Sequence, residues 1–167
     1  MDASKLSRGE KISAASAVLL FVCMFLDWFG AEVSGVSGFS GSVESAGGSA
    51  WDTLEVIPIF LMLAIVLAIG VAVIRLTDAD LELSISLNAI VAAGGALAVL
   101  LILYRIFDPP GFGLPGVGVD TTLRLGIFLG LVAAAGIAYG GYSAMRREGL
   151  TFGDTADRLS GGAPPSN

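Results

Sequence analysis

The chain has 167 residues, 54% hydrophobic and 14% charged, with a mean hydropathy of +0.82. A soluble domain is nearer a quarter charged, so too few polar groups are present to cover a soluble surface. The net charge of −6 and the lack of histidine argue against a nucleic-acid binder, which needs clustered Lys and Arg, and remove the commonest general base and metal ligand.

The apolar residues fall in four long blocks, which is a membrane signature. Lys5, Arg8 and Lys11 lead into the first, from about Ile12 to Phe29. Its single cysteine, Cys23, cannot form an internal disulfide and reads as a small core hydrophobe. A basic start and an apolar core also fit a cleaved signal peptide, with "VSG" at Val33–Gly35 as a weak cleavage site. Bulky Phe25, Trp28 and Phe29 just before it suit a membrane anchor better. The connection from Gly30 to Thr53 repeats VSG, VSG, FSG. Period three fits neither a strand nor an α-helix, so a flexible, Gly/Ser-rich acidic loop is expected. A short strand or lid is the alternative.

The second block, Val56 to Ile74, carries Pro58 in its first turn, where proline costs little, and ends at Arg75. In "RLTDADLEL", Thr77 with Asp80 fits a capping box. The same stretch begins like a calcium loop but lacks the glycine and glutamate that such a loop needs. The third block, Leu83 to Tyr104, contains Asn88, read as an interhelical hydrogen-bonding residue, and ends at Arg105 before "DPPG", which stops a helix. "PGVGV" follows as a turn-rich stretch. The fourth block, Leu125 to Met145, is followed by Arg146 and Arg147 and by a polar tail, 148–167, expected to be disordered. Each block has roughly the twenty residues a helix needs to cross about 30 Å of hydrocarbon.

Small residues recur at helical spacing: Ala64, Ala68 and Ala72 in the second block, Gly94 and Gly95 in the third, and Gly126, Gly130, Ala134 and Ala138 with Gly136, Gly140 and Ala144 in the fourth. Such ridges let helix backbones approach closely in lipid. The expected fold is therefore an all-α four-helix transmembrane bundle: residues 1–11 as a cytoplasmic N-terminus, residues 12–147 as the membrane domain. Lys5, Arg8, Lys11, Arg75, Arg146, Arg147 and Arg158 share one side if both termini are cytoplasmic, against Arg105 and Arg124 on the other. Basic residues favour the cytoplasm. Trp28, Trp51 and Tyr104 then fall at the outer boundary and Tyr139 and Tyr142 at the inner one, as interface anchors. Asp27, Glu55, Arg105 and Arg124 gather at the outer level, so an ion-paired rim is expected, with an ion or headgroup site as the functional alternative.

"FLDWF", "SAWDTLEVIPIFLML", "ALAVLLILYRIFDPPG" and "LGIFLGLVAAAGIAYGG" together resemble a group of small, uncharacterised four-span integral membrane proteins of actinobacterial type. The resemblance runs from about residue 8 to 148, and "LYRIFDPPG" with Trp51 is its most specific part. The position of Asp27 is more often proline in that pattern, which weakens any general role for it. The resemblance implies an inner-membrane bundle and supplies no catalytic residue.

No Ser-His-Asp set, Cys-His pair, HExxH or P-loop is present in the sequence, so no enzyme, metal or cofactor is expected. The leading expectation is a non-enzymatic multi-pass membrane protein: an accessory or interaction subunit, or a self-associating bundle. Its partners would be membrane lipid and another membrane protein or its own copies. A small oligomeric transporter or channel is the alternative.

Overall fold

The computed structural model describes residues 6–33, 47–77, 87–109 and 119–149. In chain order the elements are α1 (Arg8–Cys23), β1 (Asp27–Val33), β2 (Gly47–Ser49), α2 (Ala50–Thr53), α3 (Ile57–Leu76), α4 (Leu87–Phe107), β3 (Val119–Leu123) and α5 (Leu125–Arg147). The described chain is mostly helical, and α3, α4 and α5 are long and apolar enough to cross a membrane. The triplet repeats, the Thr77–Asp80 cap, "PGVGV" and the tail beyond Gly149 lie wholly or partly outside the described residues.

Helix α1 begins earlier than its apolar block because a capping box holds its first turn. The Ser7 hydroxyl accepts the Glu10 N–H at 3.2 Å, and the Glu10 carboxylate accepts the Ser7 N–H at 2.8 Å. The helix also ends earlier than expected. The block was expected to stay helical to Phe29, but Asp27, Trp28 and Phe29 belong to β1. The cause is local. A continuing helix would satisfy the Cys23 carbonyl from residue 27. Instead that carbonyl accepts the buried Trp28 indole N–H at 2.7 Å and the Leu26 N–H at 3.1 Å.

The three strands form an antiparallel sheet in the order β2-β1-β3. On one side of β1, Asp27 faces Ser49 and Phe29 faces Gly48, with an irregularity between them. On the other side the register runs evenly from Phe29 with Leu123 to Val33 with Val119. The connection expected as a loop therefore supplies strand at both of its ends. The alternative reading of a short strand holds there.

Helix α5 makes the most extensive contacts, against α1 and α4; α1 also packs on α3, and α3 on α4. Small residues make these seams possible. A Cβ on Gly140 would sit 2.5 Å from the Ser13 nitrogen, and one on Gly141 would sit 2.6 Å from the Ala92 nitrogen. Gly95 likewise faces the backbone of Ala138, and Gly136 faces Ser16. Ala64, Ala68 and Ala72 are buried on α3. Gly94 is looser: a Cβ there would meet the Leu67 Cδ1 at 3.7 Å and the Ala64 Cβ at 3.9 Å. Gly126 and Gly130 have a different job from the helix–helix ridge expected of them. Each would carry a Cβ 2.7 Å from the Trp28 ring, so together they form the slot that receives it.

Candidate functional site

The rim residues come to the end of the molecule that carries the sheet, but they do not pair as expected. Among the described residues no ion pair joins Asp27, Glu55, Arg105 and Arg124. Asp27 opens β1 and is exposed. Glu55 is exposed in the turn between α2 and α3, with φ of 45°, a left-handed conformation that costs a side-chain-bearing residue roughly 1 kcal/mol or more. Arg105 turns to carbonyls instead, donating to Thr53 and Asp108 oxygens at 3.3 Å each. Arg124 caps α5, and its guanidinium lies against Gly30, where a Cβ would sit 2.5 Å from Nε. The Nε atoms of Arg105 and Arg124 are buried without a hydrogen-bond partner. The two cations close onto backbone, and the two carboxylates face outward.

Trp28 requires a correction. Expected as an interface anchor, it is fully buried. Its indole N–H is consumed inside the protein, and its ring fills the slot on α5. Trp51, Tyr104, Tyr139 and Tyr142 are all exposed. Trp51 lies 6.3 Å from the Phe25 ring, which meets Phe21 edge-on at 5.2 Å. Beside it, Asp52 accepts both the Ser49 hydroxyl at 2.6 Å and the Ser49 N–H at 3.1 Å. The Ser49 side-chain hydrogen bond, and then its backbone one, hold the Asp52 carboxyl below the usual aspartate range.

The most connected polar group lies at the opposite end, where α1 begins and α5 finishes. Glu10 of α1 is buried at 7% exposure. Its Oε1 lies 3.3 Å from the Arg75 Nε at the end of α3. The same guanidinium donates through Nη2 to Glu148, just past α5. Asn88, in the first turn of α4, donates its amide to Glu148 at 2.9 Å and to Glu10 at 3.4 Å. Four helix ends thus meet through two carboxylates, one guanidinium and one amide. Asn88 does make the expected interhelical bonds. Sequence reasoning missed Glu10 and Glu148 as its partners. The Ser7–Glu10 spacing was a readable signal for the cap, but nothing local connects residues 10, 75, 88 and 148.

Next to this network runs a narrow crevice lined by Glu10, Ser13 and Asn88 with Ala68, Val71, Ala72 and Val91. The Ser13 hydroxyl is buried there without a partner. Among the described residues no three His, Cys, Asp or Glu side chains gather as a metal site. The chemistry of the group is charge-assisted hydrogen bonding; its arrangement is that of a clasp.

No family model matches this chain, and no curated protein matches it.

Proposed function

We propose that this chain is a non-enzymatic multi-pass protein of a bacterial inner membrane. In this reading α1, α3, α4 and α5 form a four-helix transmembrane bundle with both termini cytoplasmic. It works through contacts in the membrane plane, as an accessory subunit of another membrane protein or by self-association. One observation carries the reading: the apolar surface is outside. Val18, Ile59, Leu100 and Val132 are each more than half exposed, while the interior seams are closed by glycine and alanine against backbone. That is the pattern expected where lipid, not water, surrounds the helices. Arg8, Lys11, Arg75, Arg146 and Arg147 share one end and Arg105 and Arg124 the other, which supports the assigned orientation.

A small oligomeric transporter or channel is the second reading. The buried, unpartnered Nε atoms of Arg105 and Arg124 favour it, because they leave donors at the proposed outer end. Native mass spectrometry of the chain extracted in mild detergent from its host membrane separates these readings. A mass that includes a different subunit supports the accessory role. A detergent-stable homo-oligomer without bound solute supports self-association. A homo-oligomer that retains a small anion transfers support to the transporter. A chain that stays soluble and monodisperse without detergent would refute membrane residence.

A further inference from the structure

The charge of the molecule is unevenly used. Its net charge is −6, yet the end where α1 begins and α5 finishes presents exposed cations. Arg8 and Lys11 are exposed on the first turn of α1, and Arg146 and Arg147 on the last turn of α5. The two helices are in direct contact at this level. Gly9 lies against Ser143, the Gly140 carbonyl and the Ala144 nitrogen, which brings Arg8, Arg146 and Arg147 to the same seam, while Lys11, two residues from Gly9, lies on the far face of α1 at the same level. The described carboxylates of this end do not neutralise them. Glu10 is buried and Glu148 is engaged, both on Arg75 and Asn88. Among the described residues none of the four cations is in an ion pair. The surface that continues from them along the helices is apolar and aromatic: Ile12 is 41% exposed and Tyr139 63%. The Arg146 guanidinium sits over the Tyr142 ring, 5.8 Å from its centroid, and so is held at the boundary between the apolar surface and the charged end.

A clustered positive charge directly above an exposed apolar seam matches one kind of partner, an anionic amphiphile lying parallel to the helices. We propose that the α1/α5 seam binds an anionic glycerophospholipid of the cytoplasmic leaflet. Arg8, Arg146 and Arg147 hold its headgroup phosphate, Lys11 adds to the positive charge at the same level, and its acyl chains run along Ile12 and Tyr139. Guanidinium groups suit this task because they meet phosphate oxygens in a bidentate fork. The clasp has a part in it as well: by burying Glu10 and engaging Glu148 on Arg75 and Asn88, it leaves the four cations without a carboxylate partner among the described residues. This inference rests on the membrane reading above and names the lipid partner of that bundle.

The test uses the full chain in mild detergent, titrated with phosphatidylglycerol and with phosphatidylcholine of identical acyl chains, with bound lipid counted by native mass spectrometry. A basic residue close to anionic headgroups is worth roughly fivefold in affinity. Wild type is expected to retain phosphatidylglycerol at least about tenfold better than phosphatidylcholine, an effect of two or more such residues. The variant with Arg8→Gln, Lys11→Gln, Arg146→Gln and Arg147→Gln is expected to lose that preference. The variant with Arg8→Lys, Arg146→Lys and Arg147→Lys keeps the charge and is expected to keep most of it. Equal retention of the two lipids by wild type overturns the proposal, whatever the variants do. So does an undiminished preference in a glutamine variant that retains its helical circular dichroism. Displacement of the lipid by soluble glycerol phosphate also overturns it, by showing a site for a free anion. A chain that still requires detergent but shows no lipid preference refutes this inference alone; one that requires no detergent refutes the membrane reading beneath it.

Discussion

The same substitution, glycine to alanine, is expected to act with opposite sign at two positions. In Gly140→Ala the new Cβ falls 2.5 Å from the Ser13 nitrogen, 2.7 Å from the Gly9 carbonyl oxygen and 2.8 Å from the Ser13 Cα. All three are backbone atoms of α1, so no side chain can rotate away. Restoring ordinary contact requires α1 to retreat by about 1 Å, since carbon contacts are most favourable near 3.5–4.0 Å. Overpacking of this kind costs about 1–3 kcal/mol, and the helix gains back at most about 1 kcal/mol when alanine replaces glycine. A net loss of about 1–2 kcal/mol is expected. In Gly70→Ala on α3 the added Cβ meets nothing within 4 Å, so only the propensity gain of up to about 1 kcal/mol remains. Reversible unfolding in detergent micelles, by steric trapping or by denaturant, would measure both variants against wild type. A Gly140→Ala protein as stable as wild type, or a Gly70→Ala protein equally destabilised, would refute the reasoning that backbone proximity on α5 sets the fit.

Arg75→Gln leaves the buried Glu10 carboxylate with the Ser7 N–H and a long bond from Asn88. Arg75 is 45% exposed at its side chain, so solvent screening brings the expected loss well below that of a fully buried pair, to about 1–2 kcal/mol. A double-mutant cycle with Glu10→Gln should recover a favourable coupling, and additivity would count against the clasp. Trp28→Phe leaves the Cys23 carbonyl with the Leu26 N–H alone and underfills the Gly126–Gly130 slot. A loss of about 2 kcal/mol is expected, and an unchanged unfolding midpoint would show that the indole hydrogen bond contributes nothing. Because the folded state favours ionised Asp52, the contribution of its bonds from Ser49 is present above the unfolded pKa of about 3.9. It is lost as pH falls through the lower folded value. Trp51 emission in a Trp28→Phe background should therefore change only in acid, and Asp52→Asn should abolish that change.

The long helices were legible because lipid-length apolar runs have few other uses, and the structure sets α3, α4 and α5 within a few residues of the expected blocks. The early end of α1 was not legible. Met24 to Phe29 is as apolar as the helix before it, and what stops the helix is an indole reaching back five residues to a carbonyl. The burial of Trp28 follows from the same event and from two glycines about a hundred residues away. Spacing alone made Gly126 and Gly130 a ridge for another helix; it could not show that a side chain occupies the groove. The rim failed for a related reason. Level along a helix brings charges to one height but does not fix their azimuth, and Arg105 and Arg124 found carbonyl and glycine neighbours before carboxylates. The clasp joins residues 60 and 78 positions apart, beyond any local pattern.

Helix α1 has 16 residues, a rise of about 24 Å against roughly 30 Å of hydrocarbon. In the proposed four-span bundle, a chain that leaves a helix this early would expose bare peptide groups where water is scarce, at a cost of several kcal/mol for each unsatisfied group. Here the next segment is the middle strand of three, hydrogen-bonded along both edges. The sheet therefore acts as an insulating collar. If α1 spans the bilayer as proposed, this would let one helix be shorter than its neighbours without thinning the bilayer around it, and a variant that removes β2 or β3 should then bring that mismatch back to the surrounding lipid.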